Sequence, residues 1–135
     1  MTNLTRLGKN AEKKTSSVSA INITHDQITT GANEIFVLPD NCLITDVYCL
    51  TKVAGQTGLT LDLGFDGSNQ LGDDLDIDNT GVTSNFHSSY TALDTGTGQT
   101  VTATFSADPT AGEFDIIVEY IEYTKGCGDL TNYAE

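Results

Sequence analysis

One stretch near the end of the chain constrains the fold more than any other feature. Residues 113–123 read EFDIIVEYIEY, and every second position is large and apolar, as one face of a β-strand requires. Those positions are Phe114, Ile116, Val118 and Tyr120. The opposite face mixes apolar side chains with carboxylates, in the order Asp115, Ile117, Glu119, Ile121 and Tyr123. The pattern predicts a strand in the middle of a β-sandwich, with one face in the core and the other partly covered.

Shorter alternating runs supply partners for this strand. Leucines alternate with polar residues at 59–63, apolar residues alternate with threonines at 100–105, and further strands are expected at 20–24, 34–38 and 43–53. Seven or eight strands at this spacing, with no long helix, predict an all-β fold, an antiparallel β-sandwich. The expected core residues are Leu61, Leu63, Val101, Ala103, Phe105, Phe114, Ile116 and Val118.

Three connections are expected to take particular forms. Residues 108–112, DPTAG, are expected to form a hairpin that pairs the 100–105 strand with the final strand. Residues 64–89 are punctuated by glycines, which indicates a long excursion with a short strand or turn inside it. Residues 86–92 are then expected to return to the sheet.

Length and composition indicate one folded domain with extended ends. The 135 residues suffice for a hydrophobic core, and we divide them into an arm at 1–19, a β-sandwich at 20–124 and a tail at 125–135. We find no run long enough for a membrane span and no signal peptide. Three cysteines without metal-ligand or redox spacing are expected to be buried thiols, which favours synthesis in a reducing cytoplasm. They are Cys42, Cys49 and Cys127.

Charge is distributed very unevenly along the chain. The net charge is −13, yet residues 1–14 carry four basic side chains against one acidic side chain. The acidic remainder repels nucleic acid and anionic membranes, so we expect neither as a partner. The basic arm would contact an acidic surface on its own body, on a partner protein or on nucleic acid, or else remain a solvated tail.

One acidic run has a superficial likeness to a calcium loop. Asp66 and residues 73–78, DDLDID, cluster carboxylates of the kind that hard cations prefer. Counted from Asp74, however, the EF-hand positions for glycine and glutamate hold Asn79 and Asn85. We therefore predict no metal site, and interpret the run as a solvent-facing strand edge.

Other chemical sites find little support in the sequence. His25, Asp26, His87, Ser88 and Ser89 could supply a base, an acid and a nucleophile, but no nucleophile-elbow motif or spacing links them. A pair of carboxylates for glycoside hydrolysis would be a chance pairing among nineteen acidic residues, with no tryptophan for a sugar platform. No phosphate-binding glycine loop is present. We predict no catalytic residue and no cofactor.

Several segments together resemble a known group of proteins. They are FVLP at 36–39, ITDV at 44–47, LDLG at 61–64, TVTATF at 100–105, PTAG at 109–112 and IVEY at 117–120. Together they resemble the small β-sandwich virion proteins of tailed bacteriophages, including head-decoration (cement) and head-fibre-base proteins. The resemblance implies a jelly-roll-like, non-enzymatic and often trimeric protein, made in the host bacterial cytoplasm, that binds the major capsid protein on the capsid exterior.

This resemblance directs attention to two groups of residues. A homotrimer would cover the apolar outer side chains of the final strand, Ile117, Ile121 and Tyr123. The arm would be the capsid-docking element, through Leu4, Arg6, Leu7, Lys9, Lys13 and Lys14. Two alternatives remain open: a neck, tail or head-fibre attachment protein of the same virion, and a carbohydrate-binding sandwich.

Overall fold

The computed structural model of the protein describes residues 16–39, 42–86, 92–93 and 99–122. In these ranges the chain forms nine β-strands and a short 3-10 helix at His25–Gln27. The strands are β1 (Ser17–Thr24), β2 (Ala32–Leu38), β3 (Cys42–Val53), β4 (Thr60–Phe65), β5 (Gly72–Asp76), β6 (Gly81–Thr83), β7 (Ala92–Leu93), β8 (Gln99–Phe105) and β9 (Glu113–Glu122). Among the described residues, no helix is long and apolar enough to cross a membrane.

The strands form two antiparallel sheets that together have jelly-roll topology. Sheet A has the order β1-β9-β3-β6, with β7 pairing the same strand, β3, near its start. Sheet B has the order β2-β8-β4-β5. Successive strands alternate between the sheets, as in double-sheet jelly rolls, with two exceptions. β4 and β5 form a hairpin within sheet B, and β6 and β7 both pair with β3 in sheet A. The predicted all-β sandwich is confirmed.

The core lies between the sheets and is built from the alternating residues of the longest strands. All eight predicted core residues are buried. In β9, which lies between β1 and β3, the inward residues from Phe114 to Tyr120 are buried and the intervening ones are partly exposed. The rings of Phe105 and Phe114 meet across the core with centroids 5.7 Å apart. Alternation of period two therefore identified the faces of the strands correctly.

The predicted hairpin between β8 and β9 is wrong. β8 pairs with β2 and β4 in sheet B, whereas β9 pairs with β1 and β3 in sheet A. The connecting residues 106–112 therefore cross between the two sheets, which lie about 10 Å apart in a sandwich. Gly112, at φ 127°, fits against the ring of Phe114, where a β-carbon would collide. A Pro- and Gly-containing turn sequence is compatible with such a crossing as well as with a hairpin.

The chain also differs from the expected strand boundaries. β1 begins at Ser17, so three residues assigned to the arm pair with β9. Ser17 and Ser19 are polar, so hydrophobic alternation did not indicate that the strand begins at Ser17. The expected excursion from residue 64 contains two strands, β5 and β6, and four of the five residues of β5 are glycine or aspartate. Phe86 is outside any strand, residues 87–91 lie outside the described ranges, and β7 follows at 92–93.

We expect Phe114→Ala to destabilise the protein by roughly 3–5 kcal/mol, because the substitution leaves a cavity at a fully buried position between the sheets. Urea unfolding followed by circular dichroism measures the loss. Val37→Ala is the matched control, since Val37 is 63% exposed on the outer side of sheet B and its truncation should change stability by less than about 0.5 kcal/mol. A loss below about 1 kcal/mol for Phe114→Ala would contradict the packing.

Candidate interaction surface

The outward face of sheet A is the part of the described surface richest in exposed apolar side chains. Val18 in β1 is 56% exposed, Leu43 in β3 is 40% exposed and Val82 in β6 is 67% exposed. Between them lie partly exposed apolar residues of β3 and β9. We call this surface the sheet A face. Its residues are Val18, Ala20, Asn22, Leu43, Asp46, Tyr48, Leu50, Lys52, Val82, Asp115, Ile117, Glu119 and Ile121.

The strand register aligns apolar residues in rows across this face. Ala20 of β1 and Tyr48 of β3 flank Ile117 of β9 on its two sides. In a second row, Leu43 lies opposite Ile121. Side chains opposite one another in neighbouring strands have β-carbons within about 4.5–5.5 Å, so the members of each row lie within reach of one another. Exposed apolar rows of this kind are common on surfaces that contact another protein.

Two of the four charged side chains of the sheet A face, Lys52 and Asp115, pair with each other within it. The carboxylate of Asp115 accepts a hydrogen bond from the Asn22 side-chain amide at 2.7 Å and forms an ion pair with Lys52 at 2.9 Å. These contacts, that of Asn22 foremost, lower the pKa of Asp115, and the same carboxylate raises the pKa of Lys52. The Tyr48 hydroxyl donates to Glu119 at 2.8 Å, which raises the pKa of the tyrosine.

The predicted oligomer-interface residues are only partly within the described chain. Ile117 and Ile121 both lie on the sheet A face, partly exposed. Tyr123 lies outside the described residues, as do all six predicted arm residues. Sequence reasoning missed Val18, Leu43 and Val82, because only the pairing of β1, β3 and β6 brings them onto the face of β9.

The outward face of sheet B has a different character, with threonines and carboxylates. Thr60, Asp62, Thr100 and Thr104 lie on it, and oxygens of Asp62, Asp73 and Asp74 come within 4.8 Å of one another. The Asp62 carboxylate accepts a hydrogen bond from the backbone N–H of Asp74 at 2.8 Å. Grouped carboxylate oxygens suit hard cations, yet exposed acidic groups commonly cluster without one.

The structure groups these aspartates differently from the sequence analysis. Asp62, which was missed, joins Asp73 and Asp74 because β4 and β5 form a hairpin. Asp66 lies instead in the turn that follows β4, with φ 52°. The register of the hairpin was the missing information, since the alternation of β4 alone already placed Asp62 on the outward side.

The structure does not bring the residues considered for hydrolysis together within the part of the chain that it describes. His87, Ser88 and Ser89 lie outside the described ranges. The backbone N–H of His25 donates to the Gly112 carbonyl at 3.0 Å, which ties the 3-10 helix to the connection between β8 and β9. The Thr24 hydroxyl donates to the Asp26 carboxylate and lowers its pKa. These contacts assign His25 and Asp26 a role in the local structure.

Two of the three cysteines are buried, as expected. Cys42 and Cys49 both lie in β3 with their side chains in the core. Burial raises the pKa of the Cys49 thiol to about 12, so it stays protonated and unreactive at neutral pH. Cys127 lies outside the described residues.

Comparison with known proteins gives a fold but no family. No protein-family model matches the chain, and no curated protein matches it. The fold is similar to a chain in the capsid asymmetric unit of cyanophage Pam1, with a TM-score of 0.59 and 13% identity over 82% of this chain and 86% of that one. A chain in the capsid of Ralstonia phage GP4 gives a TM-score of 0.60 and 18% identity over 85% and 88% of the two chains.

A third similar chain comes from the acid-stable capsid of Helicobacter pylori bacteriophage KHP30. Its TM-score is 0.58 and its identity 14%, over 81% of this chain and 91% of that one. Because the shared region covers similar fractions of both chains in all three cases, the matched chains are close to this one in length. At these identities the similarity establishes the shared fold.

Proposed function

We propose that this protein is a non-enzymatic structural protein of a bacteriophage virion, which binds the outer surface of the capsid and stabilises it as a decoration or cement protein. The observation that carries the proposal is the similarity of the whole fold to chains of similar length from three phage capsids. Such a protein would act by binding other proteins through its surface, and its partner would be the major capsid protein.

Charge supports the exterior of the capsid as the location. A phage capsid encloses DNA, and a chain with a net charge of −13 would be repelled from it. Among the described residues, Lys52 is the single lysine or arginine, and it is already paired with Asp115. The clustered carboxylates on the outward face of sheet B are suited to contact with water. The protein would be made in the bacterial cytoplasm and join the virion there.

The sheet A face is the proposed contact between copies of the protein. Its apolar rows are exposed in a single chain, and two of its charged groups, Lys52 and Asp115, are already paired with each other. A homotrimer is the expected assembly, and the number three rests on the resemblance to phage decoration proteins. A closed ring of this kind uses one heterologous contact repeatedly.

We expect Ile117→Glu to weaken this association, because it places a charge in the middle of the apolar row between Ala20 and Tyr48. Light scattering at micromolar concentration should report a lower mass than for the wild type. Val37→Glu is the matched control, since Val37 is 63% exposed on the outward face of sheet B and should keep the wild-type mass. Equal masses for all three proteins would exclude the sheet A face as the contact.

The basic arm is proposed as the element that docks on the shell. Residues 1–14 have a charge opposite in sign to the rest of the chain. Each exposed ion pair of Arg6, Lys9, Lys13 or Lys14 would contribute only about 0–1 kcal/mol, with Leu4 and Leu7 filling small apolar pockets. Attachment would therefore depend on several contacts, and on several arms presented together by an oligomer.

Deletion of residues 1–14 should leave the fold intact, because β1 begins only at Ser17, and should abolish or strongly weaken binding to particles that lack the protein. Sedimentation of the protein with such particles measures binding, and circular dichroism checks the fold. Added salt should weaken the binding of the full chain by screening exposed charges. If the truncated protein binds as well as the full chain, docking uses another part of the molecule.

Copy number distinguishes this proposal from a neck, tail or head-fibre attachment role in the same virion. A decoration protein covers the shell, so quantitative mass spectrometry of purified virions should find on the order of hundreds of copies per particle, as repeated symmetric contacts over a closed shell imply. About a dozen copies or fewer would assign the protein to the neck, tail or a fibre base. Absence from the particle would overturn the virion proposal.

A further inference from the structure

Among the described strands, β1 pairs only with β9, and its other edge is open to another strand. Exposed edges expose unpaired backbone groups, and proteins usually blunt them with charge, brevity or bulges. β1 is eight residues long, its sequence SVSAINIT contains no charged residue and no proline, and its pairing with β9 shows no register shift. Long, uncharged and regular edges of this kind are the ones that accept a strand from another chain.

The other edges in the described part of the sandwich are protected. β2 has a bulge between Glu34 and Phe36, and β5 carries three aspartates in its five residues. β6 and β7 are three and two residues long. β1 therefore stands apart from every other described edge strand.

Hydrogen bonds at the end of β1 identify which backbone groups point outward. The N–H of His25 reaches the Gly112 carbonyl on the β9 side at 3.0 Å, whereas the N–H of Thr24 is bonded at 2.9 Å to the Gln27 side chain on the other side. Backbone groups alternate in direction along a strand. The N–H and C=O groups of Val18, Ala20 and Asn22 therefore point away from β9, and the Gln27 side chain closes the edge at Thr24.

We propose that β1 pairs with β1 of a second copy of this chain, antiparallel, about a twofold axis at Ala20. In this register the two Ala20 residues exchange a pair of backbone hydrogen bonds, and Val18 of each copy pairs with Asn22 of the other. All three outward N–H groups and all three outward C=O groups then have partners. The three-residue edge is self-complementary about its centre, as a twofold contact requires.

The self-complementary edge favours a second copy as the occupant, and its lack of charge allows that copy to approach. Each chain carries a net charge of −13, so two copies repel one another at most surfaces. The sequence from Ser17 to Thr24 is uncharged, and the small side chain of Ala20 at its centre is exposed and allows close approach. Pairing would join the two A sheets into one sheet across the axis. The inference does not depend on the virion role, and it uses an edge, which leaves the sheet A face available for the contact proposed above.

The register can be tested with single cysteines and a short thiol crosslinker such as dibromobimane, in a full-length chain that carries Cys127→Ser. The Ala20→Cys protein should form covalent dimers, because the two α-carbons would be about 5.5 Å apart. The Val18→Cys protein should not, because its two positions would be displaced by four residues, or about 13 Å along the strand. A mixture of the Val18→Cys and Asn22→Cys proteins should crosslink to each other.

Equal crosslinking of Val18→Cys and Ala20→Cys alone would overturn the register, and the absence of crosslinks in all three experiments would overturn the pairing. Ala20→Pro gives a second measurement: it removes one outward N–H without touching the β9 ladder, so the assembly mass should fall by a factor of two with the fold preserved. Ala32→Pro, at the first residue of edge strand β2, is the control that should keep the wild-type mass. If deletion of residues 1–14 instead strengthens the β1 crosslink, the arm of the same chain occupies the edge, and the twofold pairing is excluded for the full-length protein.

Discussion

The pairing of β9 on both of its sides is the interaction on which the rest of the structure depends. β9 pairs with eight residues of β1 and with ten of β3, and its inward face packs against sheet B through Phe114 and Phe105. β1 has no other strand partner among the described residues, so it belongs to the fold only through β9. The same strand thus closes the core on one face and organises the exposed apolar rows on the other.

The sequence allowed the faces of the strands to be predicted, but not their partners. Alternation in β9, β8 and β4 is enough to assign inward residues, because side-chain direction has a period of two in any strand. Pairing depends on where the chain goes between strands, and residues 106–112 carry turn residues compatible with either a hairpin or a crossing. Short strands such as β5 and β6 were not predicted individually, for a different reason. β5 pairs with β4 and β6 pairs with β3, and hydrophobic periodicity indicates neither pairing.

Only the part of the interaction surface that β9 contributes could be predicted from the sequence. Ile117 and Ile121 could be identified because they interrupt the carboxylates of β9 within a single stretch of sequence. Val18, Leu43 and Val82 come from three other strands, and only the register assembles them beside β9. Asp62 joined the aspartates of β5 in the same way. Properties of one strand face can be derived from sequence, whereas properties shared between strands require the topology.

The difference between the two outward faces makes the domain chemically two-sided. One face exposes aliphatic rows beside the Lys52–Asp115 ion pair, and the other exposes threonines, Val37 and clustered carboxylates. Colloid scientists call such a two-sided object a Janus particle. Its apolar side favours removal from water, whereas its acidic side favours contact with water. An assembly of copies that covers the apolar sides would leave the acidic sides exposed to solvent. Objects coated in this way repel one another in suspension, so the acidic side would keep coated assemblies dispersed.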